Sequence, residues 1–183
     1  GRVTHLVTGV ILCIPVVNWV VYVAMQYFNL TLEGRLRSAV ESGDLESVEF
    51  YLNLEFSPNT EDSNGVPLVY RAAEVGSNGI VKALLERGAD PNATYEGTPL
   101  THLLAQKEEF ELAKEVLTQY QADDTKLNAD GHTILQVLYD ADAAEKKEFW
   151  TYITDGVVNP NVKDQHGDTI VHHVLKGADT DVM

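Results

Sequence analysis

The sequence predicts an all-α solenoid of helix–turn–helix units joined by short hairpin-like turns and preceded by a single hydrophobic helix. Three observations carry this. Turn glycines recur at Gly65, Gly97, Gly131 and Gly167, spaced by 32, 34 and 36 residues, a near-constant period of the kind that marks a repeat architecture. Apolar doublets such as Leu84-Leu85 run into a helix-ending glycine, Gly88. From Val3 to Leu32 there is no Asp, Glu, Lys or Arg.

That uncharged stretch comes first in the chain. Leu6 to Met25 reads LVTGVILCIPVVNWVVYVAM, twenty residues weakened as an apolar helix only by Thr8, Gly9, Pro15 and Asn18. About 20 apolar residues at 1.5 Å rise cross the hydrocarbon core of a bilayer. Trp19, Tyr22 and Tyr27 lie toward one end, as interfacial aromatics do. Residues 1–32 are therefore expected to be a single-pass transmembrane-like helix, with residues 3–30 meeting lipid or a membrane protein. A cleaved signal peptide fits less well, for no A-x-A pattern follows the stretch, and a helix buried against the domain or a partner is the third reading. Arg2 before the stretch and Arg35 and Arg37 after it leave orientation open, with a lean toward a non-cytoplasmic, periplasm-like side.

The remaining residues, 33–183, divide by their repeats into a degenerate capping unit at 34–59, units at about 60–92, 93–127 and 128–161, and a partial unit at 162–183. Residues 80 to 92 read IVKALLERGADPN, followed by Gly97-Thr98-Pro99-Leu100. The same turn recurs as Gly131-His132-Thr133-Ile134-Leu135 and Gly167-Asp168-Thr169-Ile170-Val171, and in weaker form as Asp62-Ser63-Asn64-Gly65 ahead of Arg71-Ala72-Ala73. Asn59 and Asn92 hold the same repeat position, 33 residues apart. On these residues the chain closely resembles the ankyrin repeat family, with about four to five repeats from residue 34 to about residue 176.

In the repeat, glycine permits the positive-φ turn. Thr98 is placed to cap the first helix, and Pro99 suits a first turn that needs no backbone donor. Leu103-Leu104 and Leu138-Tyr139 stand where the family favours Ala-Ala, and a longer second helix is expected around Phe149, Trp150, Tyr152 and Ile153. The last unit is expected to stop after its first helix, near Leu175-Lys176-Gly177.

Charge narrows the function. From Glu33 onward 12 Lys and Arg face 28 Asp and Glu, a net −16, which repels phosphate backbones and argues against nucleic acid as a partner. A basic protein would instead be steered toward it, while acidity that merely keeps the chain soluble is the plain alternative. Cys13 is the only cysteine, so there is no intramolecular disulfide and no cysteine-based zinc site. No HExxH, G-x-S-x-G, Walker or G-x-G-x-x-G motif occurs, and no enzyme, cofactor or metal is assigned. His132, His166, His173 and Asp168 fall near successive turns without tight ligand spacing, and His172 matches the family's structural turn histidine.

The resemblance implies binding of another protein on turn tips and the concave face of the first helices. Carried onto this sequence, the candidates are Tyr70, Arg71, Glu74, Tyr95, Glu96, His102, Asp130, His132, Gln136, Asp164 and His166, with Tyr70 and Tyr95 as aromatic anchors. The leading expectation is a membrane-anchored inhibitor or immunity-type protein that captures a basic partner. A scaffold in a membrane complex, held through its N-terminal helix, is the alternative.

Overall fold

The computed structural model describes residues 19–24, 33–142 and 146–180. Residues 19–24 are helical and exposed. The rest of the expected hydrophobic helix, with its anchor, signal-peptide and buried-helix readings, lies outside the described residues. Among the described residues no helix is long and apolar enough to cross a membrane.

The array opens with α1, residues 33–42, which buries Leu36, Ala39 and Val40 on one helical face. Gly43 turns the chain, and Asp44 caps α2 (Leu45–Asn53) by accepting from the Ser47 N–H at 3.1 Å. The next units are α3 (Leu68–Glu74) with α4 (Asn78–Glu86), α5 (Leu100–Gln106) with α6 (Phe110–Thr118), and α7 (Ile134–Ala141) with α8 (Lys147–Thr154). Finally α9 spans Ile170–Thr180. The first helices contact one another in the order α3, α5, α7, α9, while α4, α6 and α8 each back onto the first helix of their own unit. The result is a two-layered helical solenoid.

The core runs continuously between the layers. The doublets Ile80-Val81 and Leu84-Leu85 on α4 are buried, as are Leu112-Ala113 and Val116-Leu117 on α6. Both helices use the spacing i, i+1, i+4, i+5, which lays an apolar stripe along one side.

Short turns join the units. Thr94–Tyr95 (β1) pairs antiparallel with Thr98–Pro99 (β2), with Tyr95 opposite Thr98. Thr98 thus belongs to a strand and does not cap α5, whose N-cap is Pro99 with no side-chain bond. The threonine cap appears one unit later. Thr133 accepts from the Gln136 N–H at 3.3 Å while Gln136 Oε1 accepts from the Thr133 N–H at 2.8 Å, a reciprocal capping box.

Three other expectations change. Counted from the turn glycine, the Ala-Ala pair of the second unit is Ala72-Ala73, so its counterpart in the third is Leu104-Ala105, and Leu103 stays half-exposed. Helix α8 has 8 residues against 9 in α4 and α6, so the longer period is not a longer helix. The extra residues lie between α7 and α8, where Asp142 accepts from the first-turn N–H groups of Glu148 and Phe149 at 2.9 and 3.2 Å. Gly177 does not end α9, which continues to Thr180.

A ladder of side-chain amides and carboxylates ties the exit loops together. Asn59 accepts from the Asp90 N–H at 2.7 Å and donates to the Gly88 carbonyl at 3.0 Å. Asn92 accepts from the Asp123 N–H at 2.8 Å, and Asp124 from the Asn159 N–H at 2.8 Å. Each bond crosses to the next unit. At the turns the tightest point is Gly131, with φ +77° and the Gln165 side chain 2.1 Å from where a Cβ would stand. Gly131→Ala is expected to lower stability by about 1–3 kcal/mol from the left-handed backbone and the displaced glutamine, and Asn92→Ala by about 1 kcal/mol. Thermal unfolding followed by circular dichroism measures both.

Candidate functional site

Nine of the eleven candidates fall into two sets once placed on the fold, while Arg71 and Asp164 are committed to the turns. The first set shares one repeat position, the fifth residue after each turn glycine: Tyr70, His102 and Gln136. All three are buried, at 4%, 1% and 1% exposure, so their side chains offer almost no surface to a partner. Each instead reaches the turn of the following unit. The Tyr70 ring lies 5.8 Å from that of Tyr95, His102 Nε2 donates to the His132 carbonyl at 3.3 Å, and Gln136 Nε2 donates to Asp164 Oδ2 at 2.9 Å. In the last unit the same position is His172, whose Nδ1 accepts from the Thr169 N–H at 3.3 Å. The structural role read from the sequence for His172 therefore extends to the three side chains nominated as contacts.

The electrostatics agree with this interior placement. Burial holds the His102 imidazole down at about 4, and the hydrogen bond to the His132 carbonyl only partly opposes it. With Nε2–H directed at that carbonyl, Nδ1 is left to accept from the Thr101 hydroxyl at 3.3 Å, and the ring is neutral.

Asp164 is likewise committed within the array. Burial works to raise its carboxyl, but bonds from Gln136 and from the Asp168 and His166 N–H groups outweigh it and hold the group at about 2. Asp62 holds the equivalent turn by accepting from the Asn64 and Val66 N–H groups at 2.7 and 3.0 Å, and Asn128 does the same for Asp130 and His132. An Asp or Asn three residues before the glycine is thus the turn's own brace. Arg71 joins it, donating to Asp62 Oδ2 through Nε and Nη2 at 2.9 and 2.6 Å.

The second set faces outward. Glu96, Asp130 and His166 are exposed at the turn tips, and Tyr95, His132 and Glu74 are half-exposed beside them. Glu61 and Asp140 add further exposed carboxylates on the same side. Leu103, Gln106 and His173, which are not among the eleven candidates, occupy the sixth and ninth positions after the turn glycine, the register of Arg71 and Glu74. Near them the rings of His132 and Tyr139 each lie 6.0 Å from His173, which also approaches Asp140 Oδ1 at 3.1 Å. Among the described residues no group of three or more His, Cys, Asp or Glu side chains could hold a metal ion.

The cations are largely occupied elsewhere. Lys82 pairs with Glu115, Lys114 with Asp155 at 2.8 Å, and Lys107 donates to the Glu74 carbonyl at 2.8 Å. These contacts stitch one unit to the next and leave the outward carboxylates in excess.

The profile of ankyrin repeats, in three copies, matches residues 36–130, just over half of the chain. The chain belongs to the ankyrin repeat family. It is similar to ankyrin repeat-containing protein P1E11.10 of Schizosaccharomyces pombe, 34% identical over 100 residues, which are 55% of this chain and 47% of that protein. The match thus spans about half the length of the curated relative. Membership makes the array a protein–protein interaction module, a class that is generally non-catalytic.

The buried imidazole gives a pH signature. His102 titrates lower in the folded chain, at about 4, than the ordinary 6.5, so the unfolded chain binds more protons between those values. Its contribution is complete above pH 6.5 and is lost as pH falls through the window, to a total of about 3 kcal/mol. His102→Gln should flatten the slope of stability against pH there by about 1.4 kcal/mol per unit, measured by urea unfolding at each pH.

Proposed function

We propose that the ankyrin array captures a basic protein segment on the face formed by its turn tips and first helices. The observation that carries this reading is the division of the charges. Arg71, Lys82, Lys107 and Lys114 are engaged within the array, while Glu61, Glu96, Asp130 and Asp140 point outward. Such a face accelerates encounter with a cationic partner and disfavours anionic ones. Tyr95, half-exposed and packed against the tilted ring of Tyr70, supplies an aromatic anchor on it.

In the fuller form of this proposal, the units at 128–161 and 162–183 continue the binding face, and residues 1–32 hold the array at a membrane, with the array on the non-cytoplasmic side. A membrane-held acidic binder suits an inhibitor or immunity-type role, blocking a basic toxin or effector as it arrives. The uncharged run from Val3 to Leu32 also favours a second reading, in which this segment packs against other membrane helices and the array serves as a scaffold.

Affinity purification from membranes separates the two, comparing the full chain with residues 33–183. Capture predicts that residues 33–183 alone retrieve one dominant basic protein, and a scaffold predicts that only the full chain retrieves partners, which are membrane proteins. For capture, Glu96→Lys with Asp130→Lys should slow association by about tenfold at low salt while leaving the melting temperature in place, since both side chains are exposed. Stopped-flow association at two ionic strengths checks it, and a rate indifferent to salt and to both substitutions would sink the electrostatic reading.

A further inference from the structure

The outward register of the first helices changes character in the middle of the array. The ninth position after the turn glycine is Glu74 on α3, Gln106 on α5 and Asp140 on α7, and the sixth is Arg71, Leu103 and Val137. On α3 and α7 this register is charged and paired: Arg71 Nη1 donates to Glu74 Oε2 at 2.5 Å, and His173 of α9 approaches Asp140 Oδ1 at 3.1 Å. On α5 it is uncharged, with Leu103 half-exposed and Gln106 exposed.

Four carboxylates frame this uncharged window. Helix α5 lies between α3 and α7, so Glu74 and Asp140 stand one helix to either side of Gln106. Glu96 and Asp130 are exposed at the turn tips that precede α5 and α7. Arg71 does not cancel the charge, for it is shared by Asp62 and Glu74, one cation between two carboxylates.

A partner complementary to this face carries cations at its edges and an apolar side chain at its centre. Packed helices lie about 8–10 Å apart, so carboxylates one helix to either side of α5 are about 16–20 Å apart. Six residues of extended chain, at about 3.3 Å each, reach about 20 Å, with Leu103 near mid-span. A second copy of the chain does not supply such a segment. No two Lys or Arg residues in the sequence stand six apart, and its own outward face carries like charge.

We infer that the middle of the binding face reads an extended partner segment of the form cation-x-x-apolar-x-x-cation. The apolar side chain packs on Leu103, and the two cations meet the carboxylates of the flanking units. This rests on capture of a basic segment as the function of the array. It adds what separates the partner from any other polycation, because charge alone accepts every arrangement of the same residues.

The probes are three capped, dye-labelled peptides of equal charge, titrated with the full chain in a non-ionic detergent and followed by fluorescence anisotropy. Gly-Arg-Ser-Ser-Leu-Ser-Ser-Arg-Gly carries the pattern. A second peptide has serine for the leucine, and a third has the same composition with both arginines beside the leucine. The patterned peptide should bind about tenfold more tightly than either control, the effect of part-burying one leucine. Leu103→Ser should remove the preference for leucine and leave the affinity for the serine peptide in place. Glu74→Gln with Asp140→Asn should remove the preference for spaced over adjacent arginines. The peptide comparison on the unaltered chain decides the matter however either variant folds. If the serine peptide or the adjacent-arginine peptide matches the patterned one, the inference is overturned and capture by charge alone is left standing. A leucine preference that survives Leu103→Ser in a folded variant overturns it as well. If none of the three binds, the inference falls, and capture then stands or falls on what residues 33–183 retrieve from membranes.

Discussion

A helix–turn–helix unit of about 33 residues has no closed interior, so its apolar face must be finished by a neighbour. In this chain that requirement is met at three levels. The doublets of α4 and α6 bury between the layers. The residue five places after each turn glycine reaches the next turn, through Tyr70, His102 and Gln136 in succession. The asparagines and aspartate of the exit loops bond to the next unit's backbone. The chemistry differs at every step, from a tilted ring contact to imidazole to amide, while the direction of the link is constant. What the fold selects is a side chain that can reach forward, and several residue types satisfy it.

The helical solenoid was legible because its signals are local. Gly65, Gly97, Gly131 and Gly167 all adopt positive φ, which a glycine costs least to supply, and their spacing sets the period. Asn59 and Asn92 stood out by being 33 residues apart, and both turn out to be rungs of one ladder. The candidate site was legible only in part, because exposure depends on what the next unit does. Tyr70, His102 and Gln136 are polar or amphipathic residues on a first helix, which reads as surface. Their burial follows from the neighbouring turn that closes over them. Counting from the turn glycine would have grouped them with His172 and moved attention to the sixth and ninth positions. Asp164 misled for a related reason: an Asp in a turn reads as a tip, whereas its oxygens serve the backbone N–H groups beneath it.

The electrostatic arrangement follows from the same stacking. Bonds between units place cations over the seams, as with Lys82 to Glu115 and Lys114 to Asp155. Of the 12 basic residues from Glu33 onward, Lys82, Lys107 and Lys114 are engaged along the seams, while Glu96, Asp130 and Asp140 stand exposed on the outward side. Solvent-exposed pairs of this kind contribute little each, about 0–1 kcal/mol, so their larger effect is on the potential the outward face presents.

The ladder bears on how such a chain can change length. Asn59 donates to the Gly88 carbonyl and accepts from the Asp90 N–H, and Asn92 accepts the corresponding bond from the Asp123 N–H. Because donor and acceptor types repeat with the period, excising residues 60–92 as a block would set Asn59 before the same backbone that Asn92 now faces. Val48 and Leu52 of α2 would likewise meet the apolar stripe of α6 in place of that of α4. Whole units are thus interchangeable parts for the joint, whereas a gain or loss of a few residues inside a helix would put every later joint out of step.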